Sequence, residues 1–264
     1  MAIIALKAWY LEQYEPIQEL EKRPQDLRLS KNSLLKSGLR ADFLEDSKDV
    51  KGSNWFQRYL EGETVEFYIE GSGGYIISNI DLISHEIYFT KQEVMAQLDP
   101  VIFLSYQSEY QTSNQVLVEV LNDAIENINQ RMRAVGRSRL PITIEASPRP
   151  TDAPMRLNNT MLRKIRKSLL FIADSTPITS FGTQDTLQLI PSPNVCVEIG
   201  YALQSKRSEQ ILLVQMQRPD FEGELPFDLP NHQQLLFKTA DELHQTLPQM
   251  IDTLLQRFNL FSST

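Results

Sequence analysis

Cysteine, histidine and glycine are scarce in this chain of 264 residues, and each shortage excludes a class of protein. The single cysteine, Cys196, rules out an internal disulfide framework and a metal site built from thiolates. Three histidines supply little material for a zinc site. Ten glycines beside 41% hydrophobic residues exclude collagen-like and low-complexity chains. The composition therefore predicts a globular protein without a metal site.

Long apolar runs and an excess of positive charge are also absent. No stretch reaches the roughly 18 apolar residues that a membrane-spanning helix needs. Lys7, Glu12 and Glu15 interrupt the first apolar stretch before an export signal could form. Acidic residues outnumber basic ones 34 to 26, which gives a net charge of −8 and argues against direct nucleic-acid binding. We expect a cytoplasmic protein with no membrane partner.

The apolar pattern changes near residues 91–100, and this change predicts two domains, over residues 1–97 and 98–264. In the first part, apolar residues near helical spacing predict helices over Ala8–Leu20 and Ser30–Leu44. Strands are predicted at Thr64–Ile69, Tyr75–Ile77 and Ile83–Phe89, the first two joined by a glycine-rich turn. Together these elements predict a small α+β module.

From residue 100 onward, continuous apolar runs alternate with helical patterns. Such runs are typical of strands buried on both faces of a parallel sheet, so the second domain is predicted to be α/β, with helices on both faces. The predicted strands are Val101–Leu104, Pro141–Ile144, Leu169–Ala173 and Ile211–Val214. The predicted helices are Gln115–Arg131, Leu157–Lys167, Val195–Gln204 and Ala240–Phe258.

Ligands of an open α/β sheet bind at the carboxyl ends of its strands. This rule singles out Ser105–Gln107, which follow the first predicted strand, Asp174–Thr176, which follow the third, and the loop from Thr176 to Pro193. Asp174 either holds a polar group of a substrate or caps a turn, and Ser105 and Tyr106 either line a pocket or serve the fold. The residue pattern alone leaves these alternatives open.

The helix after the third strand has a recognisable start. Ser192 is a candidate N-cap, and Pro193 occupies the favoured first helical position. Glu198 falls at the margin of the predicted buried face, near the strand ends. Spacing alone leaves open whether Glu198 is a solvated helix carboxylate or points into a cleft.

The segments VIFLSYQSEY, SLLFIADSTPI and SPNVCVEIGYAL, in this order and separation, resemble the Toll/interleukin-1 receptor (TIR) superfamily, above all its bacterial TIR-like branch. The resemblance covers about residues 100–258 and implies a flavodoxin-like sheet. It also implies that NAD⁺ is the substrate, that its nicotinamide N-glycosidic bond is hydrolysed without a cofactor, and that the catalytic glutamate is Glu198. Bacterial relatives act in antiphage defence and self-associate, partly through the loop that Ala146–Asp152 occupies here.

The same resemblance assigns roles to other side chains. Many TIR enzymes carry a tryptophan just before the glutamate, whereas this chain has Asn194 and Val195. Stacking on the substrate would then fall to Tyr106, Phe181 or Tyr201. Residues 131–167 hold ten basic and two acidic side chains. This basic stretch either receives the pyrophosphate, through Arg149 or Arg156, or forms a solvated helix face or an interface. The predicted substrate-binding residues are Ser105, Tyr106, Arg149, Asp174, Asn194 and Tyr201.

Two other functions remain open for this sequence. A nucleoside 2-deoxyribosyltransferase-like enzyme would also have an Asp at a strand end and a Glu-x-Gly-x-Ala helix, and it would also attack an N-glycosidic bond. A non-catalytic TIR adaptor or nucleotide-binding module would explain the missing tryptophan. Residues 1–97 are predicted to sense a trigger, either a protein or a cyclic nucleotide, or to support assembly.

Overall fold

The computed structural model describes residues 5–34, 37–134, 140–148, 159–182, 187–226, 230 and 233–256. The chain divides into two compact units. Residues Met1–Leu98 together with Phe258–Thr264 make up the first unit, and Asp99–Arg257 make up the second. We call them the barrel unit and the α/β unit.

Six antiparallel strands close into a barrel in the first unit: β1 Ala5–Tyr10, β2 Leu27–Leu34, β3 Gly38–Phe43, β4 Glu66–Ile69, β5 Gly73–Asp81 and β6 Glu86–Lys91. Their order around the barrel is β1-β2-β3-β6-β5-β4. Closure depends on β1 pairing with β4, where Ala8 faces Ile69, and on β3 pairing with β6, where Leu39 faces Phe89.

Three short helices accompany the barrel: α1 Ile17–Leu20, α2 Ser47–Gly52 and α3 Asn54–Leu60. The side chains of Asp46 and Ser53 cap α2 and α3 by accepting hydrogen bonds from backbone amides in the first turn of each helix. Helix α3 inserts Trp55 and Phe56 into the barrel core. There the ring of Trp55 meets Phe67 edge-on, with centroids 5.3 Å apart.

Two helix predictions for the first unit are wrong. Ala8–Leu20 contains the end of β1 and only the single turn of α1, and Ser30–Leu44 is the β2–β3 hairpin. Side chains of β3 alternate between buried and exposed or half-buried, as in a strand with one buried face. The predicted hairpin of β4 and β5 is confirmed, and Gly71 and Gly73 take positive φ angles of 68° and 109° at its turn.

The α/β unit contains a parallel sheet of five strands: β7 Asp99–Ser105, β8 Thr143–Ala146, β9 Ser168–Asp174, β12 Ile211–Met216 and β13 Gln234–Phe237. Their spatial order is β13-β12-β9-β7-β8, which reads 2-1-3-4-5 when the strands are counted along the chain from the β8 edge. A small antiparallel pair, β10 Thr179–Phe181 and β11 Gln188–Ile190, lies outside this sheet. The predicted alternation of strands and helices is confirmed, and β13 is an addition to it.

Among the described residues, four α-helices flank the sheet: α4 Gln111–Ala134, α5 Asn159–Lys167, α6 Pro193–Ser205 and α7 Ala240–Gln256. Helix α4 packs with α7, and α5 packs with α6. Phe103, Phe171 and Ala173 share a core cluster with residues of α5 and α6. We therefore call this side of the sheet the α6 face and the other the α4 face. None of the described helices is both long and apolar enough to cross a membrane.

Candidate functional site

The carboxyl ends of β7 and β9 form the centre of the candidate site. The chain leaves β7 toward β8 on one side, whereas β9 lies on the other side, so the strand order reverses between β7 and β9. In doubly wound sheets, ligands bind in the crevice at such a switch point. Ser105 ends β7, Asp174 ends β9, and Ser147 follows β8 directly.

Glu198 comes to this edge on α6. Ser192 is the N-cap residue and Pro193 is the first helical residue, as predicted. Val195, Ile199 and Ala202 pack into the core on the α6 face. Glu198 lies beside them with a side chain that is 0% exposed, so it is a buried carboxylate rather than a solvated one.

Ser147 is a hydrogen-bond donor to Glu198. Its Oγ lies 2.6 Å from Glu198 Oε1, and its own backbone amide donates to Leu104 O over 2.9 Å, which ties it to the end of β7. Met161 Sδ lies 3.6 Å from the same hydroxyl oxygen. Because a buried carboxylate needs donors, this contact stabilises Glu198 in place. Such a preorganised carboxylate can stabilise positive charge that develops beside it.

Asp174 belongs to a different polar cluster. Its Oδ2 accepts a hydrogen bond from Ser113 Oγ at 2.6 Å, and its Oδ1 accepts one from the amide of Thr176 at 3.1 Å. Burial raises the pKa of Asp174 above its ordinary value, and hydrogen bonds from Ser113, Thr176 and Gln107 counteract only part of that rise.

The two buried carboxyl groups lie on opposite faces of the sheet. Ala173 packs on the α6 face, so its neighbour Asp174 points to the α4 face, where it meets Ser113 of α4. Glu198, in contrast, belongs to α6 itself. The sheet thus separates the two groups, and the arrangement does not form an acid and base pair around one bond.

The other predicted site residues differ in position. Ser105 is fully buried and, two residues after Phe103, points to the α6 face shared with Glu198. Tyr106, Asn194 and Tyr201 are half-buried, and Tyr201 packs against the core on the α6 face. Arg149 lies outside the described residues. The structure brings Ser105 and Glu198 to one face and assigns Asp174 to the other.

Two side chains at the end of β7 have unpaired buried atoms. Within the part of the chain that the structure describes, Ser105 Oγ and Gln107 Oε1 have no hydrogen-bond partner, although Gln107 Nε2 donates to Thr176 O at 2.9 Å. Unpaired polar atoms of this kind are rare in folded proteins and are frequent where a ligand or water binds. The sequence singled out both residues, as part of the segment that follows the first predicted strand, but it assigned a role in substrate binding only to Ser105.

Sequence reasoning also missed the specific role of Ser147. It fell inside the predicted loop Ala146–Asp152, but its contact with Glu198 joins residues 51 positions apart and leaves no local pattern. The exposed aromatic Phe181 was a candidate for stacking on the substrate. Its side chain is 75% exposed on β10.

An open cavity of about 1050 Å³ lies elsewhere, beside the ends of β12 and β13. Its polar lining includes Gln215, Gln217, Arg218, Gln234 and Lys238, whereas Glu198, Ser147 and Ser105 are not among the lining residues. This opening is therefore separate from the buried carboxylate. Because Glu198 is inaccessible in this conformation, cavity size alone does not locate the candidate catalytic group.

Metal ligands and known relatives add no further assignment. Within the described ranges, no three His, Cys, Asp or Glu side chains cluster in a way that could hold a metal ion. No family model, curated protein or solved structure matches the chain. The functional argument therefore depends on the geometry of the site and on the resemblance of the sequence motifs.

Proposed function

We propose that the α/β unit is a TIR-like NAD⁺ hydrolase, which cleaves the bond between nicotinamide and ribose with Glu198 as its catalytic carboxylate. The observation that carries this proposal is the fully buried Glu198, held by Ser147 at the carboxyl edge of a sheet with the order 2-1-3-4-5. That order is the flavodoxin-like one. It agrees with the fold that the TIR resemblance implies.

The chemistry suits a single carboxylate. Nicotinamide in NAD⁺ is a pyridinium, so it leaves with the bonding electron pair as a neutral base and needs no proton. Positive charge then develops on the ribose, as in glycoside hydrolysis, and the anionic Glu198 stabilises it. Water adds to the ribose carbon and loses a proton, which gives ADP-ribose. Attack by the adenine ring of the same molecule would give a cyclic product.

Substrate binding is assigned to side chains near Glu198. Ser105 lies on the same face of the sheet and has an unpaired hydroxyl suited to a ribose hydroxyl group. Tyr106, Asn194 and Tyr201 supply half-buried polar and aromatic surface. The pyrophosphate role of Arg149 stays a prediction from the sequence. The contacts of Asp174 with α4 favour a structural role for this residue.

Access to Glu198 requires a change of conformation, because its side chain is completely buried. We propose that self-association opens the site and that the barrel unit senses the trigger, which is a protein or a cyclic nucleotide. Such coupling fits an effector of bacterial antiphage defence that depletes NAD⁺ only after activation. It also predicts low activity of the dilute protein.

The test measures nicotinamide release from NAD⁺ by the full chain, at low and high protein concentration and with a crowding agent. Glu198→Gln removes the negative charge while keeping the shape of the side chain. We expect release to fall by about 10²–10³-fold in this variant. Glu119→Gln, the same change at an exposed position of α4, is the matched control and should leave release unchanged. Release that survives in Glu198→Gln would refute the proposed mechanism.

A non-catalytic adaptor or nucleotide-binding module is the second candidate, and the complete burial of Glu198 favours it. In that case the carboxylate serves the fold, and the chain assembles without turnover of NAD⁺. Concentration-dependent assembly without nicotinamide release under any condition would support this candidate. Base exchange on a nucleoside with NAD⁺ left intact would instead support a deoxyribosyltransferase-like enzyme.

A further inference from the structure

The loop between β7 and α4 holds the start of α6 through one side chain. Glu109, in this loop, accepts a hydrogen bond from Ser192 Oγ on its Oε1 at 2.8 Å. Its Oε2 accepts another from the amide of Ser108 at 2.9 Å. Partial burial acts to raise the pKa of Glu109, but these hydrogen bonds together keep it below the ordinary value, so the group is anionic at neutral pH.

Ser192 does not act as an ordinary helix cap. An N-cap serine normally accepts a hydrogen bond from an amide in the first turn of its helix, but Ser192 makes no such bond. The hydroxyl is fully buried and donates to Glu109 instead. This contact brings a carboxylate to the amino end of α6, where the helix dipole favours negative charge. The start of α6 therefore depends on a residue 83 positions away.

The next residue anchors the same loop in another direction. The guanidinium carbon of Arg218 lies 4.5 Å from the centroid of the Tyr110 ring. The same guanidinium donates a hydrogen bond to Pro177 O at 3.1 Å. The Arg218 side chain is only 18% exposed, so the guanidinium is largely enclosed by these contacts. With Tyr110 held in this way, Glu109 is presented to Ser192 from a fixed backbone rather than from a free loop.

We infer that Glu109 is a positioning residue, which fixes the start of α6 and thereby the place of Glu198. Ser192 and Glu198 are six residues apart, about 9 Å along a helix, so a shift at the helix start moves the carboxylate with it. The hydrogen bonds of Glu109 go to Ser108 and Ser192, so its effect on Glu198 passes through Ser192. The link to catalysis rests on the function proposed above, whereas the link to α6 does not.

Hydrogen exchange of the full chain tests the link between Glu109 and α6, and this measurement does not require enzymatic activity. We expect the amides of residues 196–198 to exchange at least about tenfold faster in Glu109→Ala and in Ser192→Ala, because opening of the first helical turn becomes easier. Glu109→Gln keeps an acceptor for Ser192 and should restore most of the protection. Glu119→Gln is the control for loss of charge. Unchanged exchange in Glu109→Ala would overturn the inference whatever the enzyme does.

Steady-state kinetics tests the catalytic part. We expect Glu109→Ala to lower kcat for nicotinamide release by about 10–100-fold with little change in KM, since a misplaced catalytic group slows the chemical step. The double variant with Ser192→Ala should be no worse than either single variant, because both remove one contact. Faster exchange with unchanged kcat would refute the link to Glu198. Faster exchange in a chain without NAD⁺ cleavage would reject the proposed function and keep the role of Glu109 at α6.

Discussion

The barrel unit and the α/β unit distribute their polar side chains in opposite ways. Of the described residues, all thirteen buried polar or charged side chains lie in the α/β unit, from Ser105 to Gln233. Of the ten ion pairs that join two described residues, seven lie in the barrel unit, on side chains that keep part of their surface in water. The barrel encloses an apolar, aromatic-rich core. One unit thus keeps charge outside, and the other buries it.

This difference indicates where chemistry is possible. Burying a polar group is unfavourable unless hydrogen bonds satisfy it, so folds retain such groups mainly where they serve a purpose. In the α/β unit most of them lie near the carboxyl ends of the parallel strands, around Ser105, Ser147, Asp174 and Glu198. The core of the barrel consists of apolar and aromatic side chains, among them Trp55, Phe67 and Tyr75.

The largest effect is expected from a substitution in the apolar core of the barrel unit. Phe67 is 0% exposed and packs against Trp55 and Phe89 in the barrel core. Phe67→Ala should lower the free energy of unfolding by about 3–5 kcal/mol, through lost burial and the cavity left behind. Both tryptophans of the chain, Trp9 and Trp55, are buried in the barrel unit, so fluorescence-detected urea unfolding reports on this unit.

The matched control is Phe181→Ala, which removes the same ring from a position that is 75% exposed in the α/β unit. This variant should change the fluorescence transition very little. A small effect of Phe67→Ala, similar to that of the control, would contradict the view that ring packing stabilises the barrel.

A second prediction concerns the buried charge. The pKa of Asp174 is raised in the folded protein, so the stability that this group contributes is complete below the ordinary value of 3.8 and is lost as the pH rises through the raised value. Asp174→Asn keeps an acceptor for Ser113 but cannot ionise. Relative to this variant, the wild type should lose stability as the pH rises above about 3.8, until the raised pKa has been passed.

Far-UV circular dichroism is the appropriate probe, since the long helices belong to the α/β unit. Urea unfolding at several pH values gives the profile for each variant. Asp123→Asn, at an exposed position of α4, is the control and should give a profile parallel to the wild type. Parallel profiles for Asp174→Asn and the wild type would show that burial does not raise this pKa.

The smallest effect is expected at the barrel surface. Lys7 and Glu70 form an ion pair at 3.5 Å, and their side chains are 51% and 45% exposed. Lys7→Ala should therefore alter the unfolding free energy by less than about 1 kcal/mol in the fluorescence assay, and the difference should shrink further at high salt. A loss comparable to that of Phe67→Ala would mean that surface charge, and not the core, stabilises the barrel.

The alternation of strands and helices in the α/β unit could be predicted from the sequence, whereas two segments of the barrel unit were wrongly predicted to be helices. Strands β7, β9 and β12 are continuous apolar runs, a local signal that survives in any context. In Ser30–Leu44, several leucines near helical spacing favoured a helix, although part of the segment alternates apolar and polar residues as a strand does. The order Leu39, Arg40, Ala41, Asp42, Phe43 alternates apolar with polar and could have indicated β3.

For the candidate site, the sequence by itself determined the helix, its start at Ser192 and Pro193, and the position of Glu198 beside the apolar stripe. Only the tertiary structure decided that Glu198 is buried, that Ser147 donates to it and that Asp174 faces the other way. The physical reason is the distance along the chain over which each kind of interaction acts. Periodicity and capping act over a few residues, whereas these contacts join strand ends and helices 51–61 positions apart, which only packing of the sheet brings together.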